Sequence, residues 1–354
     1  MSIAPITGHA AVRAQLTDAV ASGRLPQVLL VTGPRGVGKQ RLALWLGQML
    51  LCTGATPRPC GTCAGCIQVQ GLVHPDLHWF VPVATPKGDP DKQLEEAAAM
   101  LAEVMAARRT SPLWSAPDGM SSHSLASARL VQRQASLTSV AGGWRVFIIG
   151  GADRLVAQAG SEAAANALLK LLEEPPPRSL FVLTTAEPGL VLPTIRSRAM
   201  PIRLGRLSDV EVRTFLAAAK PDLATDDVVA AAHGSIGAAL ASGGEAQTKA
   251  RIAADEFLKA VAGGPAEAAT RALRQIPWQA RGEFTALLDA VAERLANRAQ
   301  RVLAPGARVS NANPAGILAG VERVLAARER AQGNVNPQLL LAVLADELAA
   351  LEAV

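Results

Sequence analysis

The sequence predicts an α/β domain on a parallel sheet, with a small four-cysteine module attached and helices alone after it. Three observations carry this expectation. GPRGVGK at residues 33–39 is a glycine-rich phosphate-gripping loop set between an apolar run and a helical pattern. All four cysteines lie between residues 52 and 66. Apolar runs alternate with helical stretches as far as about residue 205 and then cease.

The elements follow in order. QVLLVT (27–32) reads as a buried strand, followed by the loop and a helix through about residue 51. LHWFVPV (77–83) reads as a second strand. Residues 86–123 begin and end with Pro, Gly, Asp and Ser yet enclose KQLEEAAAMLAEVMAARR, so they are expected to be an insertion with a surface helix and no visible chemistry. A helix at about 125–139 and the strand WRVFIIGG (144–151) come next. SEAAANALLKLLEEPPP reads as a helix with Ser161 as its cap and Pro175 as its stop. SLFVLTTAE is another buried strand, and nucleotide chemistry in such sheets belongs at the strand ends. From about residue 206, LSDVEVRTFLAAAK, TDDVVAAAHG and SIGAALAS read as a three-helix unit. After SGGE (242–245) the chain is mainly helical to Val354. There Leu340, Leu344, Leu348 and Leu351 recur at helical spacing, a stripe for an internal core or for a partner chain. The expected domains are therefore 1–205, 206–245 and 246–354.

Composition narrows the class. The chain has 354 residues, 49% of them hydrophobic, and no run of 18 apolar residues, which argues against a membrane span. Its start, MSIAPITGHA, lacks a secretory layout, so a cytoplasmic protein is expected. A formal charge of +5 permits nucleic-acid contact without demanding it, for there is no Lys/Arg cluster and no tyrosine.

Cys52 precedes CGTCAGC, which holds Cys60, Cys63 and Cys66 in two overlapping C-x-x-C steps. Gly61 and Gly65 ease the turns, and Cys52 completes a tetrahedral set suited to a structural Zn2+ with no open position for water. A redox C-x-x-C or unliganded thiols are the alternatives; a disulfide is disfavoured in a reducing compartment. His74, in HPDLHWF, is a competing ligand by type but fits the entry to a strand.

Together, GPRGVGK, the cysteine module after the loop helix, NALLKLLEEPPP, VLTTAEPGLVLPTIRSR and the terminal NVNPQLL resemble one family, the AAA+ subunits of the bacterial DNA polymerase III clamp loader. The resemblance spans nearly the whole chain except residues 86–123 and much of the alanine-rich end. It implies an AAA+ P-loop core, a helical lid and an all-α oligomerisation collar. Its pattern of losses points to the delta-prime branch rather than the gamma/tau motors.

Those losses bear on ATP. Gly33, Gly36, Gly38 and Lys39 keep the phosphate-binding character, so nucleotide binding stays open, as does a loop that only caps its helix. Gln40 replaces the Ser or Thr that ligates magnesium. Gly150 and Gly151 stand where a motor carries its acidic pair, and the nearest acid, Asp153, lies beyond. Gly237, in GSIGAAL, stands where the family's motors carry a sensing arginine. By resemblance, Arg198 of TIRSR matches the family's arginine finger, followed by Ala199 in place of the usual cysteine. Arg196 and Arg198 as surface ion-pair residues are the bland alternative. Thr184 and Thr185 stand where the family senses the γ-phosphate, or simply finish a strand.

The resemblance implies a non-hydrolysing subunit that braces the loader and offers Arg198 to a neighbouring ATPase. Its implied partners are gamma/tau and delta subunits, with the sliding clamp and primed DNA reached through the assembly. Two other readings are an active gamma/tau-like ATPase and a stand-alone zinc-dependent nucleic-acid binder. The short, Arg-poor CGTCAGC speaks against the last.

Overall fold

Strands that are apolar on both faces need cover on both faces, and the first unit supplies it. In the computed structural model, residues 5–55, 57–86, 88–111, 121–156, 162–242, 244–276, 282–303, 313–331 and 335–354 are described. The chain divides into one unit running to Ala241 and a second over Ser242–Val354.

The first unit holds an all-parallel five-stranded sheet of β1 (Val28–Thr32), β2 (Leu77–Phe80), β3 (Arg145–Gly150), β4 (Ser179–Thr185) and β5 (Met200–Arg203), in the order β2-β3-β4-β1-β5. Alternation assigns the side chains: Leu30, Phe147, Ile149, Phe181 and Leu183 enter one core cluster, while Leu29, Val31, Ile148 and Val182 enter the other. Across the first face His78, Phe147 and Phe181 stack in sequence, with ring centroids 4.8 and 4.7 Å apart. The second face is covered by α1 (Ala10–Ala21) and α2 (Lys39–Leu51), with α3 (Ala64–Gln70) packed on α2.

Helices α4 (Pro90–Thr110), α5 (Leu125–Ser136) and α6 (Ala163–Glu173) cover the first face. Here one expectation fails. The helix of the 86–123 segment is not a surface appendage, since Ala97 and Leu101 are buried in the core and α4 packs along α5. Arg108, near its end, is buried with its guanidinium carbon 3.8 Å from the Trp79 ring centroid on the edge strand β2. A long arginine stem lying on an aromatic face buries apolar surface as a leucine would. Other boundaries shift. The strand beginning at Leu77 ends at Phe80, with Val83 making an isolated bridge to Ser122, and α5 stops at Ser136. The proposed cap Ser161 lies outside the described residues.

After α7 (Pro193–Arg196) and β5 come α8 (Asp209–Ala219), α9 (Asp226–Ala231) and α10 (Ile236–Ala241), which share a small core of Leu207, Val212, Leu216, Val229, Ala232 and Ala239. Side chains set their starts: Ser208 and Glu211 form a reciprocal capping box for α8, and Thr225 caps α9.

The second unit is helical, comprising α11 (Glu245–Gly263), α12 (Pro265–Leu273), α13 (Glu283–Leu303), α14 (Pro314–Arg330) and α15 (Pro337–Ala350). Leu340, Leu344 and Leu348 are buried beside Phe257, Phe284 and Leu288, so the leucine stripe serves an internal core. Among the described residues no helix is long and apolar enough to cross a membrane.

Candidate nucleotide-loop and metal sites

The loop between β1 and α2 turns on three glycines with positive φ: Gly33 (146°), Gly36 (73°) and Gly38 (104°). Gly33 is needed twice over, because a Cβ there would stand 2.5 Å from the Leu204 carbonyl oxygen. Gly38 caps α2 without a side chain, leaving a helix N-terminus of the kind that favours anions. The Lys39 ammonium, however, is folded onto the loop itself, donating to the carbonyls of Gly33 (2.8 Å) and Pro34 (2.7 Å). Burial brings its pKa down to about 8, while the Asp153 carboxylate pulls the other way.

The first turn of α2 and the end of β3 meet beside the loop. Gln40 leans on Gly150, and a Cβ on Gly150 would lie 2.5 Å from Gln40 Nε2. Gly150 is the last residue of β3, in register with Thr184, and its carbonyl accepts a hydrogen bond from buried His123 Nε2 at 2.8 Å. Burial holds the His123 imidazole down at about 4, so it is a neutral donor. Gly151 sits in the left-handed region at φ 69°, where an acidic residue would be strained. Asp153 falls in the next 3-10 turn, Ala152–Leu155, and its Oδ1 accepts from Thr185 Oγ1 at 2.6 Å. That same oxygen of Thr185 accepts from the Glu187 amide at 2.9 Å. Thr184 and Thr185 are buried and finish β4.

The four cysteines meet. Their Sγ atoms all lie within 4.8 Å of one another, with Cys52–Cys63 at 3.8 Å and Cys60–Cys66 at 4.0 Å. A tetrahedral ion with Zn–S bonds of about 2.3 Å requires edges of about 3.8 Å, so the donor set fits such an ion. Main-chain amides support the sulfurs: Cys60 N–H points to Cys52 Sγ (3.5 Å), Cys63 N–H to Cys60 Sγ (3.4 Å) and Cys66 N–H to Cys63 Sγ (3.4 Å). The Cys66 amide, foremost, brings the Cys63 thiol down to about 5, while burial pushes Cys66 up to about 12. Glycines clear the space. A Cβ on Gly54 would reach 2.6 Å from Cys60 Sγ, and one on Gly65 would reach 2.2 Å from the Leu51 carbonyl oxygen, where α3 crosses the end of α2. His74 stands apart from the four thiols. It is buried at the turn before β2, and its Nδ1 accepts from the Asp76 amide at 3.1 Å.

Arg198 follows α7 with its side chain 30% exposed. Its Nε donates to Glu173 Oε1 at 2.7 Å, and Nη1 donates to the Thr194 carbonyl at 2.7 Å. Nη2 pairs with the same carboxylate. Arg196 is exposed, and Ala199 is a core residue.

A family model described as "DNA polymerase III, delta subunit" matches residues 8–208 of this chain. The chain belongs to that family. Curated relatives of this clamp-loader AAA+ family member include "DNA polymerase III subunit gamma/tau" of Mycobacterium tuberculosis, 32% identical over 57% of this chain and 29% of the relative. "DNA polymerase III subunit delta'" of Bacillus subtilis is 28% identical over 53% of this chain and 44% of the relative. "DNA polymerase III subunit tau" of Escherichia coli is 29% identical over 60% of this chain and 27% of the relative. The chain thus spans less than half the length of each.

In this family member, sequence reasoning overlooked four residues around the loop and the arginine: His9, His123, Glu173 and Ser235. His9, the left-handed residue before α1, donates from Nε2 to the Val37 carbonyl at 2.8 Å. Ser235 Oγ donates to the Arg35 carbonyl at 2.8 Å. Each is a single polar residue far from its partner in sequence, and no local pattern marks it. His9, Glu173 and Ser235 lie within MSIAPITGHA, NALLKLLEEPPP and GSIGAAL, but those stretches do not single them out.

Proposed function

We propose that this chain is a non-hydrolysing, delta-prime-like subunit of a DNA polymerase III clamp loader. It braces the assembly and donates Arg198 in trans to the ATP site of a neighbouring gamma/tau subunit. The assembly, which also includes a delta subunit, loads a sliding clamp on primed DNA in the cytoplasm. One observation carries the reading: Gln40 closes the corner beside Gly150, while Arg198 remains partly exposed. Phosphoryl transfer is mostly positioning and charge neutralisation, so a site that cannot hold its metal loses the greater part of its rate. A guanidinium needs no metal of its own to serve a neighbour.

Within this reading residues 206–245 act as the lid, and 246–354 form the collar that joins subunits. Cys52, Cys60, Cys63 and Cys66 hold a structural Zn2+, which pins the excursion between α2 and β2. Gly33, Gly36, Gly38 and Lys39 are a degenerate nucleotide loop. The test is ATP turnover by the reconstituted loader at saturating ATP, clamp and primed DNA. Arg198→Ala lowers it by about 10³ or more at the affected site; turnover equal to wild type would overturn the finger.

A second reading is an active gamma/tau-like ATPase, favoured by the 32% identity to gamma/tau relatives and by the retained loop glycines and Lys39. Equilibrium titration of the purified chain with fluorescent ATP separates the two. Tight binding that needs magnesium supports the motor, and weak binding indifferent to magnesium supports the brace.

A further inference from the structure

The carbonyls of the loop are committed one after another to the protein. Gly33 and Pro34 accept from Lys39, Arg35 from Ser235 Oγ, Gly36 from the Gly237 N–H (3.0 Å), and Val37 from His9. Two of these donors, Ser235 and Gly237, belong to the three-helix unit at the start of α10. They touch the loop more closely than side chains allow. A Cβ on Gly36 would stand 2.4 Å from Ser235 Oγ and 2.7 Å from Gly237 Cα, and a Cβ on Gly237 would stand 2.6 Å from Gly36 Cα. Ser235 is buried, and its Oγ also accepts from the Ala238 amide at 3.1 Å, so one hydroxyl caps α10 and ties it to the loop. The base of the unit is drawn in the same way: Leu207 N–H donates to the Gly234 carbonyl at 2.9 Å, and a Cβ on Gly234 would meet the Leu207 oxygen at 2.3 Å.

We propose that Gly36, Ser235 and Gly237 form a latch, one main-chain and one hydroxyl hydrogen bond, that holds the three-helix unit shut on the loop by contacts of the protein itself. Glycine at 237 is then more than a lost side chain. It is the residue that lets two main chains meet and exchange a hydrogen bond, and any side chain there pushes α10 off the loop. A nucleotide-driven lid needs its closing contacts to come from the nucleotide. Here the protein itself makes closing contacts, through the Gly237 N–H and the Ser235 hydroxyl, so the closed form does not depend on a nucleotide to supply them. The latch stands whether or not Arg198 acts on a neighbour.

Hydrogen exchange on the full-length chain tests this, with wild type, Gly237→Ala and Ser235→Ala each measured in EDTA and again with ATP and magnesium. In wild type, peptides covering 33–39 and 234–241 are protected, and ATP with magnesium leaves them unchanged. In Gly237→Ala both peptides exchange about tenfold faster, the loss of one or two hydrogen bonds, while 145–150 and 179–185 keep their protection. Ser235→Ala adds no atoms and shows the same local loosening. Should Gly237→Ala also strip protection from the sheet, Ser235→Ala decides alone. Exchange equal to wild type in the informative variant, or wild-type protection that appears only with ATP, overturns the latch.

Discussion

Gln40 fills the space beside Gly150, its Nε2 standing 2.5 Å from where a Cβ on that glycine would lie. Read singly, the two residues are separate departures from a magnesium site; in space they form one contact between the first turn of α2 and the end of β3. Gly150→Asp must therefore displace the Gln40 amide, at a cost of about 1 kcal/mol. Adding Gln40→Thr removes the clash, so a double-mutant cycle by chemical denaturation shows favourable coupling of at least about 0.5 kcal/mol. Simple additivity would mean that Gln40 swings aside freely. The double variant is expected to remain without ATPase activity, because Gly151, at φ 69°, still supplies no second acid.

The cysteine module takes up metal with a pH dependence whose sign follows from its thiols. A ligand must be a thiolate. Cys63, held near 5, is already one at neutral pH, whereas Cys66, pushed up to about 12 by burial, keeps its proton until metal displaces it. Uptake of Zn2+ at pH 7 therefore releases protons, and apparent affinity rises with pH, about tenfold per pH unit for each proton released. Competition with a chromophoric chelator at pH 6, 7 and 8 measures this. Cys66→Ser weakens uptake and flattens the slope. A pH-independent affinity would contradict the assignment.

Buried His123 and half-buried His78 make the first unit acid-sensitive, and burial lowers His74 in the same direction. Burial, foremost, holds His123 and His78 at about 4 in the folded chain, against 6.5 for the free side chain. Between those values the unfolded chain binds more protons, so folding stability is full above pH 6.5 and falls as pH drops toward 4. Each histidine contributes at most about 1.4 kcal/mol per pH unit in that window. Denaturant melts at pH 7, 6 and 5 follow the loss, and His123→Gln removes its share of the slope, leaving that of His78 and His74.

What was legible in the sequence depended on how local its cause was. The strands at Val28, Arg145 and Ser179 are apolar runs because both faces are covered, and the cysteine cluster is fixed by spacing. β5 went unread because it is a four-residue edge strand, MPIR, containing a proline and an arginine and mostly exposed. α1 went unread because it begins at left-handed His9 with no side-chain cap and buries only Leu16. Residues 86–123 hid their packing because α4 buries Ala97, Leu101 and an arginine, a face that alanine and charge disguise. At the loop, each departure was visible, but Gln40 and Gly150 lie 110 residues apart, and Gly36 and Gly237 about 200. Their pairing exists only once the sheet and the three-helix unit bring them together.

Glu173 and Arg198 give the last prediction. The carboxylate at the end of α6 accepts from Nε and pairs with Nη2, so it fixes the guanidinium plane while leaving the side chain 30% exposed. Glu173 is itself 45% exposed, so the pair adds less than about 1 kcal/mol to folding, and Glu173→Ala leaves the melting transition nearly unchanged. Its effect on turnover separates two roles for Arg198. A finger uses its fork of donors on a neighbour's phosphate, which lysine cannot reproduce. Arg198→Lys in the reconstituted loader therefore falls nearly as far as Arg198→Ala, while Glu173→Ala, with the guanidinium still present, stays within about threefold of wild type. An Arg198 that served only the ion pair would give the opposite pattern: all three variants would turn over ATP like wild type, and Arg198→Lys would keep the pair. Steady-state turnover of the four assemblies at saturating ATP, clamp and primed DNA distinguishes these patterns.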